Sequence, residues 1–164
     1  MSLKCLATRG RFGAVCLVLM TLSSSYAKAN PDTLAGTWSG SGSMKPSDGP
    51  QENVRCKVVY SVKKPGRSLS LDLRCASEAY KMVLSANIEQ NGTALSGNWF
   101  ESEYRQGGKI SGTSVDGLIE ARVEGDTVAA LVTIRTKGNH QSFVMEAPGA
   151  WVSQVAIELN KDSN

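Results

Sequence analysis

Beyond residue 33 the apolar residues fall on every second position, segment after segment, and that period constrains the fold more than any other feature. A period of two places alternate side chains on opposite faces of a β-strand. Val54, Cys56, Val58, Tyr60 and Val62 share one face, while Arg55, Lys57 and Ser61 share the other. Met82, Leu84, Ala86 and Ile88 oppose Ser85, Asn87 and Glu89; Ile119, Ala121 and Val123 oppose Glu120, Arg122 and Glu124. Ten segments read this way: 34–44, 54–62, 69–75, 80–89, 94–104, 109–115, 118–124, 127–136, 140–147 and 151–159. Turn-forming residues separate most of them, among them Pro65-Gly66, Asn91-Gly92, Gly107-Gly108, Asp116-Gly117, Gly138-Asn139 and Pro148-Gly149. Strands joined by such short turns run antiparallel and side by side, so the expected topology is an up-and-down meander. An open meander would leave two long edges unpaired. Pairing 151–159 with 34–44 removes them. The expected fold is therefore all-β, a small closed barrel of about ten strands, with a β-sandwich as the alternative. An outer-membrane barrel is disfavoured, because Glu120, Arg122 and Glu124 occupy the outward face where lipid would demand an apolar band.

The first 29 residues read differently. Lys4, Arg9 and Arg11 precede an apolar run from Phe12 to Leu22, and Ala27-Lys28-Ala29 supplies small residues where a signal peptidase cuts. The expected organisation is a signal peptide over 1–29, one domain over 30–160 and a frayed tail over 161–164. The apolar run falls short of the roughly 20 residues that a spanning helix needs, so no membrane span is expected in the mature chain. Val15 before Cys16 does not suit a lipoprotein signal. The implied location is the periplasm or the medium after cleavage near Ala29.

Loss of the leader also removes most of the apparent basicity. The whole chain carries +3, but Lys4, Arg9, Arg11 and Lys28 depart with no acid, leaving 14 basic against 15 acidic residues. Such a surface makes no electrostatic case for nucleic acid. Two cysteines, Cys56 and Cys75, remain after cleavage. Each falls on the apolar face of its own strand, and in a hairpin those faces coincide. An oxidising compartment favours a bond between them, closing a loop worth roughly 3 kcal/mol. Two reduced, buried thiols are the other reading.

Catalytic chemistry is hard to place. The single histidine, His140, follows a Gly-Asn turn. With two bonded cysteines, only carboxylates remain to hold a metal, so no metal site and no cofactor is expected. Glu101 and Glu103 share one face of the 94–104 strand, a spacing that could hold a cation or act as an acid/base pair, though alternating acids usually face solvent. The serines at 39–43 have no partnered base. The expectation is a non-enzymatic protein.

Binding is easier to motivate. Ala86, Gly97, Gly112, Ala121 and Ala130 put small residues on the inward faces. A barrel of eight or more strands is just wide enough to be filled by side chains or to hold one small ligand. If hollow, its lining would include Trp38, Met82, Trp99, Phe143 and Met145, and its guest would be a small apolar ligand or an envelope component. If solid, the small residues serve closure of a coiled barrel. The second functional expectation is a protein-binding module, either an inhibitor or an envelope-integrity factor.

Three resemblances bear on these expectations. Leu34-Ala35-Gly36-Thr37-Trp38 resembles the Gly-x-Trp opening of lipocalin-like (calycin) barrels. That likeness implies a tryptophan packed across the closed end, often beside an arginine from a late strand; the alternation turns the candidate, Arg135, outward. Arg55-Cys56, the run Leu69 to Ser77 and Leu95-Ser96-Gly97-Asn98-Trp99 resemble a family of small exported proteins from rhizobia and related alphaproteobacteria. This implies an exported, disulfide-bearing β-domain and supplies no active site. The early Leu-x-Gly-x-Trp with one disulfide is also similar to secreted inhibitors of alkaline metalloproteases.

Overall fold

The computed structural model describes residues 30–163, so the expected leader and its cleavage point lie outside the described residues. A short 3-10 turn, Pro31–Leu34, leads into ten strands: β1 (Gly36–Pro46), β2 (Glu52–Lys64), β3 (Ser68–Ala76), β4 (Lys81–Asn91), β5 (Ala94–Glu101), β6 (Gln106–Val115), β7 (Leu118–Gly125), β8 (Ala129–Lys137), β9 (His140–Glu146) and β10 (Val152–Lys161). Every strand pairs antiparallel with its sequence neighbours, and β10 pairs with β1 to close the barrel. The meander is shown, and the sandwich alternative falls because the first and last strands are joined along nine register pairs from Trp38↔Lys161 to Pro46↔Val152. Among the described residues no helix is long and apolar enough to cross a membrane.

Closure demands close strand contact in β1, where the side chain is dispensed with. A Cβ on Gly42 would stand 1.9 Å from the Ala156 carbonyl oxygen, so β1 and β10 can approach this closely only with glycine there. The hairpin between β2 and β3 places Cys56 directly opposite Cys75, with Cα atoms 4.1 Å apart and the sulfurs bonded. The reading of two reduced thiols is thereby excluded.

Several boundaries move. Gly107 and Gly108 do not turn the chain; they lie inside β6, and the turn is Ser102–Arg105, with Arg105 at φ 56°. The physical reason is packing: a Cβ on Gly108 would sit 1.7 Å from the Glu124 carbonyl oxygen, so the glycine lets β6 and β7 meet beneath Trp99. In the β4–β5 hairpin Asn91 pairs with Ala94, so the central residues are Gly92 and Thr93 rather than Asn91 and Gly92, and only Gly92 takes positive φ. The expected frayed tail over 161–164 is paired at its first two residues. Lys161 closes β10 opposite Trp38, and the Asp162 amide donates to the Thr37 carbonyl at 2.8 Å.

The interior is unevenly filled. Across β1, β2 and β10 the inward residues Trp38, Val54, Val58, Val155, Ile157 and Leu159 are buried in one continuous cluster. Across β3, β4, β6 and β7 the inward residues Leu71, Leu73, Met82, Leu84, Ile110 and Ile119 are only half-buried. Free space reaches both sets: Val54, Val155 and Ile157 border it, whereas Trp38, Val58 and Leu159, near the 3-10 turn, do not.

Candidate functional site

The barrel holds a cavity of about 600 Å³ running between its two ends. Its walls are aliphatic and aromatic, with Leu73, Leu84, Ile110, Val123, Ile134 and Phe143 among them. Small side chains at Ala86, Ala121 and Ala130 also line it and set its width. Of the five residues expected to contact a guest, Met82, Trp99, Phe143 and Met145 line the cavity. Trp38 does not, and that expectation is corrected.

Trp38 is 0 % exposed and belongs to the buried cluster near the 3-10 turn. Its indole nitrogen donates to the Leu34 carbonyl at 2.8 Å, which fixes the 3-10 turn across that end. Lys161, not Arg135, lies over its ring, with Nζ 5.5 Å from the centroid. Arg135 is exposed. Other bonds tie this end together. Both Asp32 carboxylate oxygens accept from the Gly66 amide, at 2.9 and 3.0 Å. The Tyr60 hydroxyl donates to Gln141 Oε1 at 3.1 Å, and Gln141 Nε2 donates to Thr136 Oγ1 at 3.0 Å. Burial pushes the Tyr60 phenol well above its usual range, against the opposing pull of the Gln141 bond.

The opposite end is built from loops. Tyr80 from the β3–β4 loop, Tyr104 from the β5–β6 turn and Trp151 from the β9–β10 loop meet there. Tyr80 and Trp151 have ring centroids 5.4 Å apart, and Tyr104 and Trp151 4.8 Å apart, both tilted. All three border the lumen. Partial burial raises the Tyr104 phenol above its ordinary value, and the neighbouring Glu101, Tyr80 and Glu103 push it further in the same direction.

Glu101 is not the exposed strand acid that its spacing suggested. It is 5 % exposed, and its carboxylate accepts from the amides of Val83 (2.9 Å), Glu103 (3.1 Å) and Tyr104 (2.7 Å). This is a carboxylate that closes the Ser102–Arg105 turn. Glu103 sits in that turn rather than on the strand, so the two acids share no strand face. His140 is on the surface, its Nε2 2.9 Å from Glu158 Oε2 and its Nδ1 3.3 Å from Asn160 Oδ1. Among the described residues no three His, Cys, Asp or Glu side chains gather as metal ligands.

No protein-family model matches the sequence, and no curated protein matches it either. A solved structure does match. The barrel superposes on the S-type phycobiliprotein lyase from Guillardia theta with a TM-score of 0.58 and 13% sequence identity, covering 82% of this chain and 91% of that one. At this identity the likeness shows a shared fold. It also overturns one expectation. Absence of a visible catalytic constellation argued for a non-enzymatic protein, yet a protein named a lyase is built on a similar barrel over most of its length. Catalysis is therefore not excluded by this architecture.

Proposed function

We propose that this protein is exported and binds a small, largely apolar molecule inside its barrel. One observation carries the reading: the apolar lumen of about 600 Å³, within the range of about 300–1,000 Å³ typical of small-molecule sites. The bonded Cys56 and Cys75 support a destination outside the reducing cytoplasm, the periplasm or beyond. The Gly-x-Trp opening, with Trp38 sealed across one end, supports the lipocalin-like likeness. Glu101 is spoken for by the backbone, so what the lining offers a guest is chiefly shape and apolar surface.

Titration with the fluorescent apolar probe N-phenyl-1-naphthylamine tests this. Binding at one site per chain, lost when Ala121→Phe narrows the lumen, is the expected result. A probe that binds both proteins equally, or neither, rejects the reading.

A further inference from the structure

The loop end adjoins a second cavity. It measures about 290 Å³ and is walled by Ser77, Glu78, Ala79, Tyr80, Lys81, Glu103 and Tyr104. Tyr80, Lys81 and Tyr104 belong to both spaces, so a greasy chamber and a polar one share a wall at the barrel mouth. Building on the ligand-binding reading, we propose that the guest is an amphiphile carrying a positively charged amine or quaternary ammonium head. Its apolar body occupies the lumen, and its head rests at the mouth against Tyr80, Tyr104 and Trp151.

Three features select that chemistry. The first is the aromatic trio itself. Ring faces attract cations through their quadrupoles, and an ammonium that cannot donate hydrogen bonds is held well by several rings at once. The rings touch each other, and among the described residues the two phenol hydroxyls and the Trp151 indole nitrogen make no hydrogen bond. The second is charge. Glu78 and Glu103 border the polar chamber against one amine, Lys81, and the buried Glu101 carboxylate lies behind Tyr104. Among the residues that wall the chamber, two carboxylates thus stand against one amine. An anionic head would meet two exposed carboxylates, whereas a cation would meet rings and opposite charge. Lys81 is exposed, with its amine on a flexible stem that can swing to solvent. The third is position. Tyr80 and Tyr104 border both the apolar lumen and the polar chamber, so a guest whose body fills the lumen presents its head beside them.

Calorimetric titration with decyltrimethylammonium, decyl sulfate and decyl maltoside, each below its critical micelle concentration, separates the possibilities. The tail is constant and only the head changes. The ammonium is expected to bind about tenfold tighter than the maltoside, from the gain of a partly desolvated cation over the rings. The sulfate should bind weakest. The Tyr104→Leu and Glu78→Gln/Glu103→Gln variants should each shrink the preference for ammonium while leaving maltoside binding in place. Equal affinities for the three heads, or preference for the sulfate, would overturn the head assignment and leave the lumen reading standing. Failure of all three to bind would bring down the lumen reading, and this proposal with it.

Discussion

Replacing Ala121 by phenylalanine distinguishes a hollow barrel from a solid one by the sign of a stability change. Ala121 lies on β7 between Gly112 and Val132 in the neighbouring strands, and its side chain borders the lumen. A phenylalanine there would project into vacant space. Burying the ring against Ile110, Val123 and other wall residues should add about 2 kcal/mol, the order expected for withdrawing one large apolar side chain from water. In a packed core the same change would overfill the site and cost about 1–3 kcal/mol. The two cases thus differ by about 4 kcal/mol. In a domain of this size that separates thermal midpoints by roughly 10 °C or more. Differential scanning calorimetry of wild type and variant, at neutral pH with intact disulfide, reads it directly. A midpoint lowered by several degrees would refute the hollow interior, whatever the probe titration shows.

Other consequences can be checked in the same way. Replacing Cys56 and Cys75 together by serine should lower stability by about 3 kcal/mol, from the loop that the bond closes, as measured by urea unfolding; identical midpoints with and without reductant would contradict it. Trp38→Phe removes the donor to the Leu34 carbonyl and leaves that oxygen buried, so a loss of about 1–3 kcal/mol is expected together with faster hydrogen exchange at Thr33 and Ala35. Gly108→Ala has no room at the Glu124 carbonyl and should unfold the β6–β7 pair or prevent expression in folded form. Tyr60 and Tyr104 hold their protons more tightly when folded than unfolded, so stability should be flat below the ordinary phenol value near 10 and fall as pH rises beyond it. Ultraviolet titration of the phenolates alongside unfolding curves would check that sign.

Much of the fold was legible because side-chain parity is a local property. Each strand carried its own alternation, and short turns dictated the order of pairing. Register was less legible. Gly92 with Thr93, rather than Asn91 with Gly92, occupies the centre of the β4–β5 turn, and nothing in the local pattern separates a strand residue from a turn residue at that spot. Gly107 and Gly108 misled for a related reason: glycine marks turns and close strand contacts alike, and only the neighbouring strand decides between them. Glu101 and Glu103 shared a face on paper, but the turn at Ser102 broke the parity, and the first acid folded inward onto amide groups. The lining residues Met82, Trp99, Phe143 and Met145 followed from parity, whereas Trp38, of the same parity, lies against the 3-10 turn and away from the free space. Hollowness itself depends on the summed volume of many inward side chains around a closed circle. The mouth aromatics come from three loops far apart in sequence, so no spacing rule could have joined Tyr80, Tyr104 and Trp151.

The most direct trial of the account is the electron density of a crystal of this protein under xenon pressure. Xenon settles in apolar space that side chains leave unfilled. Ordered xenon is expected in the lumen, beside Leu73, Leu84 and Ile110. A barrel interior that takes up no xenon while the rest of the structure matches would contradict it.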